Sequence, residues 1–186
     1  MEDEIETWSS SQLRPCKVLG ASMTNDCPVD ISEMRSVDSI EGDSIVDTGL
    51  LREMAAEAYE FIYAQEWCEH IDHQYLAYGV GGIVALFLFQ ITPLFEEVDT
   101  CLWVIVGDLP PAYIVVEDNP TPTDALDAYC SEMGAWVEAV EKGESVEDII
   151  PVNAPATRDN AGQLKGRLEY LRSKIMPLIG VGKSRK

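Results

Sequence analysis

The sequence predicts an α+β fold in which a small, mainly antiparallel sheet of about three strands is covered by three to four helices. Strand-like apolar runs are grouped between residues 83 and 116, and helix-like periodicity flanks this region on both sides. Hydrophobic residues make up 46% of the 186-residue chain, which is enough for a core. Because helices and strands are segregated, we expect the helices to cover one face of the sheet.

The chain divides by composition into three parts. Residues 1–46 hold ten acidic and three basic residues, and their apolar positions show no period, so we predict a flexible acidic extension. Residues 47–178 form the single α+β domain. Residues 179–186 form a basic tail.

The domain is predicted to begin with a helix that Asp47 or Thr48 caps. Apolar residues then recur at helical spacing: Leu51, Met54, Ala58 and Ile62. Residues 67–76 extend this helix or start a second one, and the glycines at 79, 81 and 82 end it.

Three strands follow. Residues 83–91 are apolar except for Gln90, which favours a strand buried on both faces over a buried helix of the same length. Residues 101–106 and 112–116 are the other two, and Gly107–Pro111 joins them.

Two helices complete the domain. The first has Thr121 as its cap, Pro122 at its first position and Gly143 at its end, the residue types preferred at those places. Thr157 caps the second. Its apolar residues are spaced four, three and four apart: Leu164, Leu168, Leu171 and Ile175.

The formal net charge of -20 limits the partners. Nucleic acids and anionic membranes bind clustered lysine and arginine, so neither is expected as a partner. A protein with a basic surface is expected instead; the alternative is that the acidity only keeps a bacterial-type cytosolic protein soluble. The sequence has an odd number of cysteines, five, without CxxC spacing, and its first residues do not resemble a signal peptide. We therefore predict reduced thiols and a cytoplasmic location.

The Gly107–Pro111 connector is the main candidate site. A rigid turn there would hold the Asp108 carboxylate in place to bind a cationic group or to act as a base, although Asp108 is also a common turn residue. Tyr113 follows closely, and Trp67 and Trp103 could line the same pocket or pack in the core. The predicted binding residues are therefore Trp67, Trp103, Asp108 and Tyr113.

No catalytic residue, metal or cofactor is predicted. On a helix, Glu66, His70 and His73 would share one face, but without further ligands a solvated polar face is favoured over a metal site. The chain contains no GxSxG, phosphate-loop or GxGxxG motif. A cysteine–histidine pair is conceivable, but Cys101 and Cys130 lie in apolar surroundings that raise the pKa of a thiol.

The run from Trp103 to Pro110, followed by Tyr113-Ile114 and a helix opening at Pro122, resembles an uncharacterised bacterial domain family with the signature W-x-[IV]-x-G-D-L-P-x-x-Y-[IV]. The resemblance covers about 40 residues well. It implies a bacterial origin but no activity. Thr123 replaces the basic residue usual after the helix-opening proline.

The leading hypothesis is a non-enzymatic, acidic protein-binding module, for example an immunity protein that neutralises a basic toxin. The absence of catalytic motifs and the charge of -20 favour it. The alternative is an enzyme or small-ligand-binding protein with its site at the Gly107–Pro111 turn.

Overall fold

The computed structural model describes residues 27–32 and 34–179, which form five strands and three helices. The strands are β1 (Arg35–Ser36), β2 (Cys68–Val80), β3 (Val84–Pro93), β4 (Cys101–Gly107) and β5 (Ala112–Val115). The helices are α1 (Ile45–Tyr63), α2 (Pro122–Lys142) and α3 (Arg158–Tyr170). The α+β class is confirmed, but the sheet has five strands where about three were predicted.

The five strands form one antiparallel sheet in the order β1-β2-β3-β4-β5. Each strand therefore pairs with the next one along the chain. In the centre of the sheet Phe87 lies opposite Val104, and Trp103 lies opposite Ile114. This register places the β4–β5 turn beside the β2–β3 turn, because Val84 pairs with Gly107.

The sheet is covered on both faces, so the expectation of helices on one face was wrong. Successive side chains of a strand point to opposite faces. Val84, Leu86 and Leu88 of β3 pack in one cluster with α2 and α3. Ala85, Phe87 and Phe89 pack in a second cluster with α1. The continuous apolar sequence of β3 and β4 follows from this burial on both sides.

The prediction of helix for residues 67–76 was also wrong, because most of this stretch belongs to β2. The pairing of β2 with β3 shifts register at three places, between Cys68 and His70, Ile71 and His73, and Leu76 and Tyr78. Each bulge adds a residue and breaks the alternation of buried and exposed positions. The resulting pattern has buried residues three apart at Cys68, Ile71 and Gln74, which imitates a helix.

The predicted helix ends agree with α2 and α3. The Thr121 hydroxyl accepts a hydrogen bond from the Asp124 N–H, and Gly143 ends α2 with φ 74°. The Thr157 hydroxyl accepts one from the Asn160 N–H at the start of α3. Helix α1 begins earlier than predicted, after Ser44. None of the helices in the described ranges has the length and apolar character required to cross a membrane.

The packed domain begins before the predicted boundary at residue 47. Arg35 and Ser36 pair with β2, and the Ile40 side chain has no exposed surface. Four apolar residues before β1 also pack against the cluster beside α2 and α3: Cys27, Val29, Ile31 and Met34. The rest of the predicted extension, residues 1–26 and 33, lies outside the described residues, as does most of the predicted tail, residues 180–186.

Candidate functional site

The Gly107–Pro111 turn is held by contacts with two other parts of the fold. Gly107 has φ 139°, and a Cβ atom there would lie 2.4 Å from the Ile83 carbonyl oxygen. The Asp108 N–H donates a hydrogen bond of 3.1 Å to this same oxygen. From α2, the Tyr129 hydroxyl donates one of 2.8 Å to the Pro110 carbonyl. The backbone of the turn is therefore fixed, and only glycine fits at position 107.

The Asp108 carboxylate is paired with Arg167 of α3. The guanidinium donates two parallel hydrogen bonds, from Nε to Oδ2 at 3.0 Å and from Nη2 to Oδ1 at 2.9 Å. The Asp108 side chain is 66% exposed and that of Arg167 is 39% exposed. Asp108 is thus more than a turn residue, but its charge already has a counter-ion within the protein.

A cavity of about 440 Å³ lies beside this ion pair. The side chains of Ile83, Leu109 and Tyr170 line it together with Asp108 and Arg167. This volume falls within the range of small-molecule sites, which combine an apolar lining with a few polar groups. The arrangement offers a ligand one carboxylate, one guanidinium and an aromatic ring.

The other predicted binding residues do not converge on this cavity. Trp103 is fully buried under α2, and its indole N–H donates to the Asn119 carbonyl at 2.7 Å. Trp67 and Tyr113 pack on the α1 face, with their ring centroids 5.3 Å apart in an edge-to-face contact. The four predicted residues therefore occupy three separate places, because alternate strand residues point to opposite faces of the sheet.

The helical face that would have joined Glu66, His70 and His73 does not exist, since both histidines lie on β2. The His70 side chain is 69% exposed, and its Nε2 atom lies 4.0 Å from Asp72 Oδ1. Across residues 27–32 and 34–179, no three histidine, cysteine or acidic side chains come together in a way that could hold a metal ion.

The structure also shows an acidic surface that was not singled out from the sequence. Residues 38–99, which we call the acidic half, contain thirteen acidic residues and a single lysine or arginine, Arg52. Most of these carboxylates are exposed. Seven large apolar side chains of the same half are also exposed: Ile45, Val46, Tyr59, Tyr63, Ile83, Leu94 and Phe95. The signal was present in the sequence, because no lysine or arginine occurs between Arg52 and Lys142.

The opposite layer differs because four of its acidic residues have cationic partners. Arg167 pairs with Asp108, and Lys165 of α3 pairs with Glu141 of α2 at 2.9 Å. Lys142 pairs with Glu138, and Arg172 with Asp127. These four ion pairs all belong to this layer. The acidic half therefore carries the larger uncompensated negative charge, because residues 100–179 also hold thirteen acidic residues but have six basic ones.

Comparison with known proteins gives no relative: no family model matches the chain, and no curated protein or solved structure matches it. The resemblance of the Trp103–Pro110 run to an uncharacterised bacterial family therefore stays a prediction.

Proposed function

We propose that this chain is a non-enzymatic protein-binding module of a bacterial cytoplasm whose acidic half binds a partner with a basic surface. One concrete form is an immunity protein that neutralises a basic toxin. The observation that carries the proposal is the excess of thirteen acidic residues over one basic residue in residues 38–99. A field of this sign accelerates encounter with a positive protein and repels polyanions.

Helix α1 supplies the centre of the proposed surface. Glu53, Glu57 and Glu60 are exposed and are spaced four and three residues apart, so they share one helix face. Tyr59 and Tyr63 stack beside them, with ring centroids 5.8 Å apart and 41% and 59% of their surfaces exposed. Carboxylates bind arginine in a bidentate manner, and tyrosine rings attract cations, so this combination suits arginine and lysine side chains.

A cavity of about 340 Å³ opens between α1 and the segment before it. Tyr59, Glu60 and Asp38 line it, which gives it two carboxylates and an aromatic ring. Arg52 also lines it, and its guanidinium donates to the Ile40 carbonyl at 3.3 Å. The cavity has the size and charge to accept one cationic side chain of the partner.

Calorimetric titration tests the proposal, with the basic proteins encoded beside this chain's gene as partners. We expect binding tighter than micromolar at low salt, weakening as the salt concentration rises. The variant Glu53→Gln/Glu57→Gln/Glu60→Gln removes three negative charges from the proposed surface. A matched control with the same net charge, on the opposite layer, is Glu132→Gln/Glu144→Gln/Glu147→Gln.

The first triple variant should lose at least tenfold in affinity, and the control should lose much less, because only the first changes the contact surface. Equal losses in both variants would mean that net charge alone drives association and that α1 is not the site. Absence of any partner binding tighter than micromolar at low salt removes the proposal.

The second candidate function is binding of a small polar ligand at the Gly107–Pro111 turn. The cavity of about 440 Å³ beside Asp108 and Arg167 favours it. A thermal-shift screen with metabolites would detect a ligand by a rise in Tm. That rise should be lost in Arg167→Ala and retained in Lys165→Ala, a nearby cation on α3 that pairs elsewhere.

A further inference from the structure

Two cysteines that are 74 positions apart in the sequence lie in contact. Cys27 is half-buried in the irregular segment 27–32 and packs against the cluster that contains Cys101, the first residue of β4. The Cys101 thiol hydrogen-bonds to the Cys27 sulfur. The other described cysteines are elsewhere: Cys68 packs on the α1 face of the sheet, and Cys130 lies on α2.

The surroundings of the pair favour a thiolate on Cys27. The hydrogen bond from Cys101 lowers the pKa of Cys27 below its usual range, against the effect of burial, and further hydrogen bonds from the Val29 backbone and the Gln90 side chain act in the same direction. The same thiol–thiol contact, together with burial, raises the pKa of Cys101. These directions favour Cys27 over Cys101 as the thiolate.

We propose that Cys27 and Cys101 form a reversible disulfide on exposure to a peroxide, which fastens the segment around residue 27 to β4. In the first step the Cys27 thiolate attacks one peroxide oxygen, the O–O bond breaks, and Cys27 becomes a sulfenic acid while hydroxide leaves. In the second step the Cys101 sulfur attacks the Cys27 sulfur and water leaves. Both thiols are oxidised together by two electrons, and hydrogen peroxide is reduced to water.

To form this bond, the two sulfur atoms must move to the S–S length of about 2.05 Å. Cys101 is fixed in the sheet opposite Gln90, whereas Cys27 belongs to a segment without helix or strand, so Cys27 can make the movement. The bond closes a loop that contains β1, α1, β2 and β3, and so it constrains a large part of the unfolded chain. This inference does not depend on the proposed function.

The test uses the full chain, reduced and then exposed to hydrogen peroxide. Intact mass should fall by the two hydrogens of one disulfide, titratable thiols under denaturing conditions should fall from five to three, and peptide mapping should link Cys27 to Cys101. Dithiothreitol should restore all five thiols. The oxidised protein should also melt at a higher temperature than the reduced protein.

Two matched variants complete the design. Cys130→Ser removes another buried cysteine and should leave the link unchanged. Cys101→Ser removes the resolving thiol, so Cys27 should instead be trapped by dimedone as a sulfenic acid. The proposal is overturned if the native wild-type chain keeps five thiols under peroxide, or if mapping finds a different pair. Because the mapping is done on the wild-type protein, these outcomes stand even if a variant fails to fold.

Discussion

Substitution of Gly107 by alanine should destabilise the domain by about 2–4 kcal/mol. A non-glycine residue at φ 139° costs about 1–3 kcal/mol in backbone strain. The new Cβ would lie 2.4 Å from the Ile83 carbonyl oxygen, where ordinary contacts begin at 3.4 Å, so this carbonyl must move by roughly 1 Å. The movement weakens its hydrogen bond with the Asp108 N–H, worth about 1 kcal/mol.

Urea unfolding followed by tryptophan fluorescence measures this difference, and a thermal melt should show Tm lowered by about 5–15 °C for a chain of this size. Gly134→Ala is the matched control. Gly134 lies within α2, and nothing lies within 4 Å of the Cβ position there, so alanine should stabilise the protein by up to about 1 kcal/mol. If the free energy of unfolding of Gly107→Ala lies within about 0.5 kcal/mol of the wild-type value, the conclusion that only glycine fits at this turn is incorrect.

Three further changes test other contacts by the same unfolding measurement. Trp103→Phe should cost about 2–4 kcal/mol, because it opens a cavity and leaves the half-buried Asn119 carbonyl without its donor; a loss below 1 kcal/mol would contradict the hydrogen bond of 2.7 Å. Asp108→Asn should cost less than about 1 kcal/mol, since the pair with Arg167 is exposed, and a loss above 2 kcal/mol would show that solvent does not screen it. Burial and nearby acidic residues raise the pKa of Asp99, so its ionised form destabilises the fold. Protonated Asp99 therefore stabilises the fold relative to the ionised form. This stabilisation is fully present below the ordinary pKa of aspartate and is lost as pH rises through the folded-state pKa. Asp99→Asn should therefore raise Tm at pH 7, with a gain that shrinks as pH falls towards 4, and an equal gain at both pH values would exclude this titration.

Much of the fold could be predicted because local rules and tertiary packing agree. The Thr121-Pro122 start of α2 and the Thr157 start of α3 follow from the preferences of helix ends, and both caps form as expected. The apolar runs of β3 and β4 were recognised because burial on both faces removes polar residues from a strand. Strands that are apolar on both faces need packed elements on each side of the sheet. The prediction of helices on one face did not take this requirement into account.

Strand β2 could not be predicted, because its bulges are a property of its pairing with β3 and not of its own sequence. The candidate site was only partly predictable for a similar reason. The position of Asp108 in a rigid turn follows from its neighbours, but its partner Arg167 lies 59 residues away on a different helix. Which aromatic residues face the turn depends on strand register, and no local pattern shows that Tyr113 and Trp103 point to opposite sides.

The two outer strands limit how another chain can join the sheet. Strand β5 has four residues, and the two residues of β1 cover only a short part of β2. The uncovered part of β2 is irregular and carries Glu69 and Asp72. Short, bulged or charged borders of this kind discourage a foreign strand from hydrogen-bonding alongside and also protect against fibril-like stacking. Any protein that recognises this domain must therefore contact its side chains, and we expect its complexes to leave the five-stranded ladder unextended.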